Sequence, residues 1–169
     1  MFKIVTYPDK FLTKKVATVE VFDNKLKKTA AELTETMFAA DGVGLAAIQV
    51  GLDMAMTVIN IEPKYNHLKL SMPMILVNPV ILTASLEKEE GDEACLSVPG
   101  KIGPVWRSQE VVVNAVDLDG KPLHLEAKDW FARVLQHEID HLNGILFIDR
   151  IDDKKLIKNY KMDKVKRNK

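Results

Sequence analysis

Within the run Gln136-His137-Glu138-Ile139-Asp140-His141, two histidines stand four residues apart with a glutamate beside the first. On a helix this spacing brings both imidazoles onto one face, with their Cβ atoms about 5–6 Å apart. Two nitrogens so placed can grip one metal ion, and Glu138 can accept a proton from a water bound there. The chemistry suggested is metal-assisted hydrolysis, and the third ligand decides its kind. A metzincin-type zinc protease would carry a third histidine three residues after Gly144, where this chain has Phe147. The other common solution takes a glutamate from a downstream helix, and no Glu follows Glu138. The third ligand must come from upstream or from one of a few late aspartates. Cys95, the single cysteine, is the best upstream candidate, because thiolate binds borderline metals strongly. His67 and His124 are the others, each in a polar or strand context that suits a surface residue.

The elements that must position these groups are readable in outline. Leu26, Ala30, Leu33 and Met37 form a helical stripe over residues 24–40, stopped by Asp41-Gly42. Residues 54–60 and 75–82 read as strands, with Pro79 implying an edge or a bend in the second. Residues 111–117, the Asp119-Gly120 turn and residues 123–127 carry a hairpin signal. A second helix is expected from Asp129, as N-cap, to Leu142, with Asn143-Gly144 closing it. Trp130, Val134, His137 and His141 share one face of it, and Glu138 lies to the side. Residues 152–167 predict a third helix ending in a basic tail. The expected class is α+β: antiparallel strands packed around a central metal-binding helix, with an N-terminal and a C-terminal helix.

At 169 residues and 47% hydrophobic, the chain suits one domain, residues 1–169, with a full core. Its 24 basic and 24 acidic residues cancel, which gives no global field for DNA or an acidic surface. A single cysteine fits a reducing compartment. Met1-Phe2-Lys3-Ile4-Val5 opens no signal peptide, and no apolar run of about 18 residues offers a membrane span. A soluble, cytoplasmic protein is expected.

Glu93-Ala94-Cys95-Leu96-Ser97-Val98-Pro99, the His-Glu helix and Gly42-Val43-Gly44-Leu45-Ala46-Ala47-Ile48-Gln49 resemble the three signature motifs of peptide deformylase, in that family's order and spacing. Ala94 departs from the usual glycine, and Ile48 from a position that is often proline. Gly42-x-Gly44-x-x-Ala47 also fits a dinucleotide fingerprint, with Glu62 about 20 residues on. Its context rejects that reading: the motif follows a helix, and Gly51 leaves no room for a crossover helix. These glycines instead allow backbone to approach a ligand, and Gln49 offers a side-chain amide.

The resemblance implies one divalent metal on Cys95, His137 and His141, ferrous iron in the cell, with zinc, nickel or cobalt as substitutes. It implies Glu138 as proton acceptor, and the Gln49 amide and Leu96 N–H as donors to the developing oxyanion. The implied substrate is the N-formyl-methionine of nascent polypeptides, with formate released and the side chain received near Val43, Gly44, Trp130 and Val134. An ion pair between Arg107 and Asp140 is implied as well. A basic C-terminal helix is read either as a solvated helix whose lysines aid solubility or, on the resemblance, as one that docks on ribosomal RNA. Competing readings are a zinc metalloprotease, a Cys–His amidase with Cys95 as nucleophile, and a closed structural metal site.

Overall fold

The computed structural model describes residues 1–160. The first apolar stripe becomes helix α1 (Asn24–Ala39), on which Leu26, Ala30, Leu33 and Met37 are all buried. Asp23 caps it by accepting a hydrogen bond from the Leu26 N–H at 2.9 Å. The helix ends at Ala39, and Asp41 follows with a positive φ of 55°. Beyond it, β1 (Gly44–Ala46), β2 (Met56–Ile59) and β3 (Met74–Ala84) join β6 (Glu110–Val116) and β7 (Pro122–Lys128) in a five-stranded sheet. Its order is β1-β2-β3-β6-β7, antiparallel throughout. A second antiparallel sheet holds β4 (Lys88–Cys95), β5 (Val98–Ser108) and β8 (Lys158–Asn159) in the order β4-β5-β8.

Helix α2 (Asp129–Leu142) contacts strands of both sheets. Phe131, Leu135 and Ile139 pack with Leu76, Val113 and Leu125 of the larger sheet. Along the smaller sheet, Val98 and Val105 meet Leu146, Phe147 and Ile151, the residues that follow the helix. The α+β class expected from the sequence is the class found, and α2 is its central helix.

One local expectation is narrowed and two change. The strand containing Pro79 is interior, between β2 and β3's other neighbour β6, so proline marks a bend and not an edge. The register shifts between Val77 and Val80, and Asn78 there takes a positive φ of 52°. Asn78 spans the irregularity by bonding both the N–H and the carbonyl of Val19. Asp129 is not an N-cap. It is the first residue of α2, at φ 52°, and its N–H donates to the Gln109 carbonyl at 2.8 Å, so β7 runs directly into the helix.

The third helix is absent from residues 152–160, and residues 161–167 of that expectation lie outside the described residues. A 3-10 turn at Lys154–Leu156, capped by Asp153, leads into β8. There Lys158 pairs with Ile102 and Asn159 with Lys101. The open edge of β5 offers these residues a backbone ladder, which outweighs a weak local preference for helix.

After α2 the chain reverses through Gly144, at φ 74°. A Cβ there would sit 2.5 Å from the Thr13 carbonyl carbon. Gly144→Ala is therefore expected to cost about 2 kcal/mol or more, lowering the melting temperature by roughly 4–8 °C. Thermal denaturation followed by circular dichroism measures this, and an unchanged midpoint would show that the Thr13 segment yields freely.

Candidate active site

The cysteine reaches the histidines because β4 and β5 form a tight hairpin. Cys95 pairs with Val98, and only Leu96 and Ser97 lie between them at the turn. Its Sγ stands 3.2 Å from His141 Nε2, which is itself 3.2 Å from His137 Nε2. The three donor atoms lie within 4.8 Å of one another. His67 and His124 are elsewhere and exposed, the first against the Glu126 carbonyl and the second against Asn114 Oδ1.

The donor set suits a metal ion on its own chemistry. His141 is almost fully buried, and burial together with neighbouring His137 holds its imidazole well below the ordinary pKa. Its Nδ1 has no hydrogen-bond partner among the described residues. It is the other ring nitrogen, Nε2, that faces the cluster, and with the second imidazole and the thiol it offers lone pairs toward one point that a borderline divalent cation would satisfy. His137 is oriented for the same end: its Nδ1 lies 2.8 Å from Glu93 Oε2, leaving Nε2 toward the cluster.

Glu93 has a larger part than the sequence reading assigned to it. It is 4% exposed, and it accepts two bonds of 2.9 Å from Arg107, through Nε and Nη2. Arg133 Nη1 adds a third at 3.0 Å. Burial alone would raise this carboxyl, but Arg107 and His137 outweigh it and hold the pKa down to about 2. One signal could have exposed the role: Glu93 is two residues before Cys95, and on a strand that puts both on one face. Arg107 also donates to Asp140 Oδ2 at 2.5 Å, so the expected pair is present. Arg150 closes on the same carboxylate through Nη2 at 2.5 Å and Nε at 3.0 Å.

Gln49 lies in a 3-10 turn, Ala47–Val50, immediately after β1. Its Oε1 accepts from the Ala46 N–H at 2.8 Å, which turns Nε2 toward Ser97 Oγ at 3.1 Å and Cys95 Sγ at 3.4 Å. Glu138 is 4% exposed, and burial pushes its carboxyl up to about 7. Gly44 stands directly against it: a Cβ on Gly44 would come within 2.6 Å of Glu138 Cδ. The motif suggested that the glycine admits a ligand; what it admits here is the Glu138 side chain.

These groups face a cleft of about 180 Å³ lined also by Val43, Leu96, Trp130 and Val134. Val43 stands at its rim and Val134 is buried, packed in the main core as well as lining the cleft. Ala94 lies along the cleft edge on the exposed side of β4. The far wall was not anticipated. Tyr160, whose N–H donates to the Gly100 carbonyl at 2.8 Å, lines the cleft beside Lys101.

Removing one member of a buried charge network leaves the others uncompensated. Arg107→Met is expected to destabilise the fold by about 3–5 kcal/mol, read from urea unfolding. A wild-type midpoint would mean that Arg133 and Arg150 alone neutralise Glu93 and Asp140.

Over residues 1–156 the chain matches the polypeptide deformylase family. A peptide deformylase of Brucella suis is 44% identical over 165 residues, covering 94% of this chain and 90% of its own. Peptide deformylase 1 of Bacillus subtilis is 44% identical over 149 residues, covering 88% and 89%. The crystal structure of the Ehrlichia chaffeensis peptide deformylase in complex with actinonin superposes with a TM-score of 0.85 at 39% identity, over 91% of this chain and 90% of that one. That of the Thermotoga maritima enzyme does so with a TM-score of 0.83 at 39% identity, over 90% and 98%. The likeness runs through the strands and helices that carry the cleft and not through its motifs alone, and the chain belongs to the peptide deformylase family.

Proposed function

We infer that this chain is a metal-dependent hydrolase that removes the formyl group from N-formyl-methionine at the start of newly made polypeptides, releasing formate. One observation carries the reading: a thiol and two imidazoles converge beside a buried carboxyl at a small, largely apolar cleft. Cys95, His137 and His141 would hold the ion, ferrous iron in the cell, with zinc, nickel or cobalt able to replace it. When bound, such an ion polarises a carbonyl oxygen and makes hydroxide available near neutrality.

The chain's own residues supply the rest. Glu138 takes a proton from the attacking water and delivers it to the nitrogen that leaves as the peptide amine. The formyl carbon gains the water oxygen, the C–N bond breaks and formate departs. The Gln49 amide and the Leu96 N–H donate to the oxygen that becomes negative. Losing one such donor typically costs about 10²–10³ in rate. Trp130, Val134 and Val43 receive the methionine side chain, while Gly44 lets the backbone edge of β1 come close. A cleft this narrow favours the smallest acyl group.

Glu138→Gln preserves shape but removes the proton acceptor. Formate release should fall by at least about 10²–10⁴ while metal content per chain stays that of the wild type. Replacing Cys95, His137 or His141 should lower both. Chelation should abolish turnover, and a divalent metal should restore it. Near-normal turnover by Glu138→Gln would remove Glu138 from the reaction, and activity that resists chelators but yields to thiol alkylation would make Cys95 a nucleophile instead.

The reading places one catalytic domain in the cytoplasm, acting on chains as they leave the ribosome. From Lys154 to Lys169 there are eight Lys or Arg against Asp163 alone, a basic end suited to phosphate contacts that salt weakens. Because Tyr160, just past β8, lines the cleft, the tail is best removed after Tyr160. Deleting residues 161–169 should reduce co-sedimentation with ribosomes at low salt and leave hydrolysis of a short formyl-methionyl peptide intact. Unchanged co-sedimentation would reduce the tail to solvated surface.

A further inference from the structure

Thr57 has no part in the chemistry described so far, yet its place in β2 asks for one. The strand reads Met56-Thr57-Val58-Ile59 and every residue of it is buried, Thr57 completely. Valine would fill the same space without a hydroxyl, and a buried hydroxyl is costly unless it is bonded. Oγ1 lies 3.1 Å from the Leu45 carbonyl, 3.4 Å from the Val58 carbonyl and 3.3 Å from Glu138 Oε2. One proton serves one of these acceptors at a time, and an ionised carboxylate is the strongest of the three.

On its other side the same carboxyl meets Gly44, the residue whose missing Cβ makes room for it. Glu138 is therefore flanked by two adjacent strands, with Oε1 toward Gly44 on β1 and Oε2 toward Thr57 on β2. The last torsion of a glutamate is broad and nearly two-fold, so packing alone leaves its two oxygens free to exchange. A hydrogen bond to one of them removes that freedom.

We propose that Thr57 is a positioning residue for the deformylation reaction: its hydroxyl holds Glu138 by Oε2 and so presents Oε1 as the oxygen that exchanges the proton. This rests on the reading of Glu138 as proton acceptor. The residue does not touch substrate, and its effect is on how often the carboxyl is correctly turned.

The test compares Thr57→Val, which keeps the shape and loses the hydroxyl, with Thr57→Ser, which keeps the hydroxyl and loses a methyl group. Each is assayed as the metal-loaded enzyme for formate release from a formyl-methionyl peptide. Thr57→Val should lower kcat about tenfold with KM within about twofold, as for loss of one charge-assisted hydrogen bond. Thr57→Ser should melt at a lower temperature yet keep kcat near that of the wild type. Placing Thr57→Val in a Glu138→Gln background should cost nothing further. Wild-type kcat in Thr57→Val, or an equal loss in both single variants, would overturn the proposal and leave Thr57 as packing, with Glu138→Gln still inactive. An active Glu138→Gln would instead overturn the proton-acceptor reading, and the role of Thr57 with it.

Discussion

The buried carboxylate of Glu93 is the interaction on which the rest of the site depends. From one position on β4 it engages Arg107 of β5 and both Arg133 and His137 of α2. Strand, strand and helix therefore meet at a single pair of oxygens. Burying such a charge is expensive, and it persists only because three donors surround it. Arg133 extends the tie by donating to the carbonyls of Glu89, Gly91 and Val105. Gly91 makes this possible, since a Cβ there would lie 2.8 Å from the Arg133 guanidinium carbon. Arg107 carries the network on to Asp140 and hence to Arg150, beyond the end of the helix.

The network's value to function is geometric. The proposed ligands come from two elements far apart in sequence, the thiol from a hairpin and the imidazoles from a helix. Nothing local holds the thiol 3.2 Å from His141. A hydrophobic contact between sheet and helix would leave register and rotation soft, because apolar packing is not directional. Bidentate Arg107 and the Glu93–His137 bond specify both, and they also set which imidazole nitrogen faces the cluster.

The cleft combines this rigidity with a buried floor. Glu138 is buried enough for its carboxyl to rise to about 7, while Glu93, which bonds the neighbouring His137, is held near 2. Two carboxyls in one core thus have opposite protonation habits, set by three cationic or N–H partners for Glu93 and desolvation for Glu138. Trp130, Val134 and Val43 give the cleft an apolar wall beside them. Tyr160, just past β8, and Lys101 of β5 finish the wall, so the end of the described chain belongs to the cleft.

The residues that could do chemistry were legible without coordinates, because their signals are local. An i, i+4 histidine pair with an intervening glutamate, a lone cysteine and a glycine run keep their meaning in one dimension. Helices α1 and α2 were legible for the same reason, their apolar stripes having the 3.6-residue period. Strands β4 and β5 were not. Lys88-Glu89-Glu90-Gly91-Asp92-Glu93 is polar throughout and shows no alternation, since its inward face buries a charge and not an apolar side chain. The helix expected beyond Asp152 gave way in residues 152–160 to a 3-10 turn and a short edge strand, because the partner residues in β5, Lys101 and Ile102, stand 58 and 56 positions earlier in sequence. Chain order could name the ligands and their neighbours; only the packed fold could place Glu93 beneath His137, Thr57 beneath Glu138 and Tyr160 across the cleft, because each of those contacts joins groups whose separation in sequence carries no period.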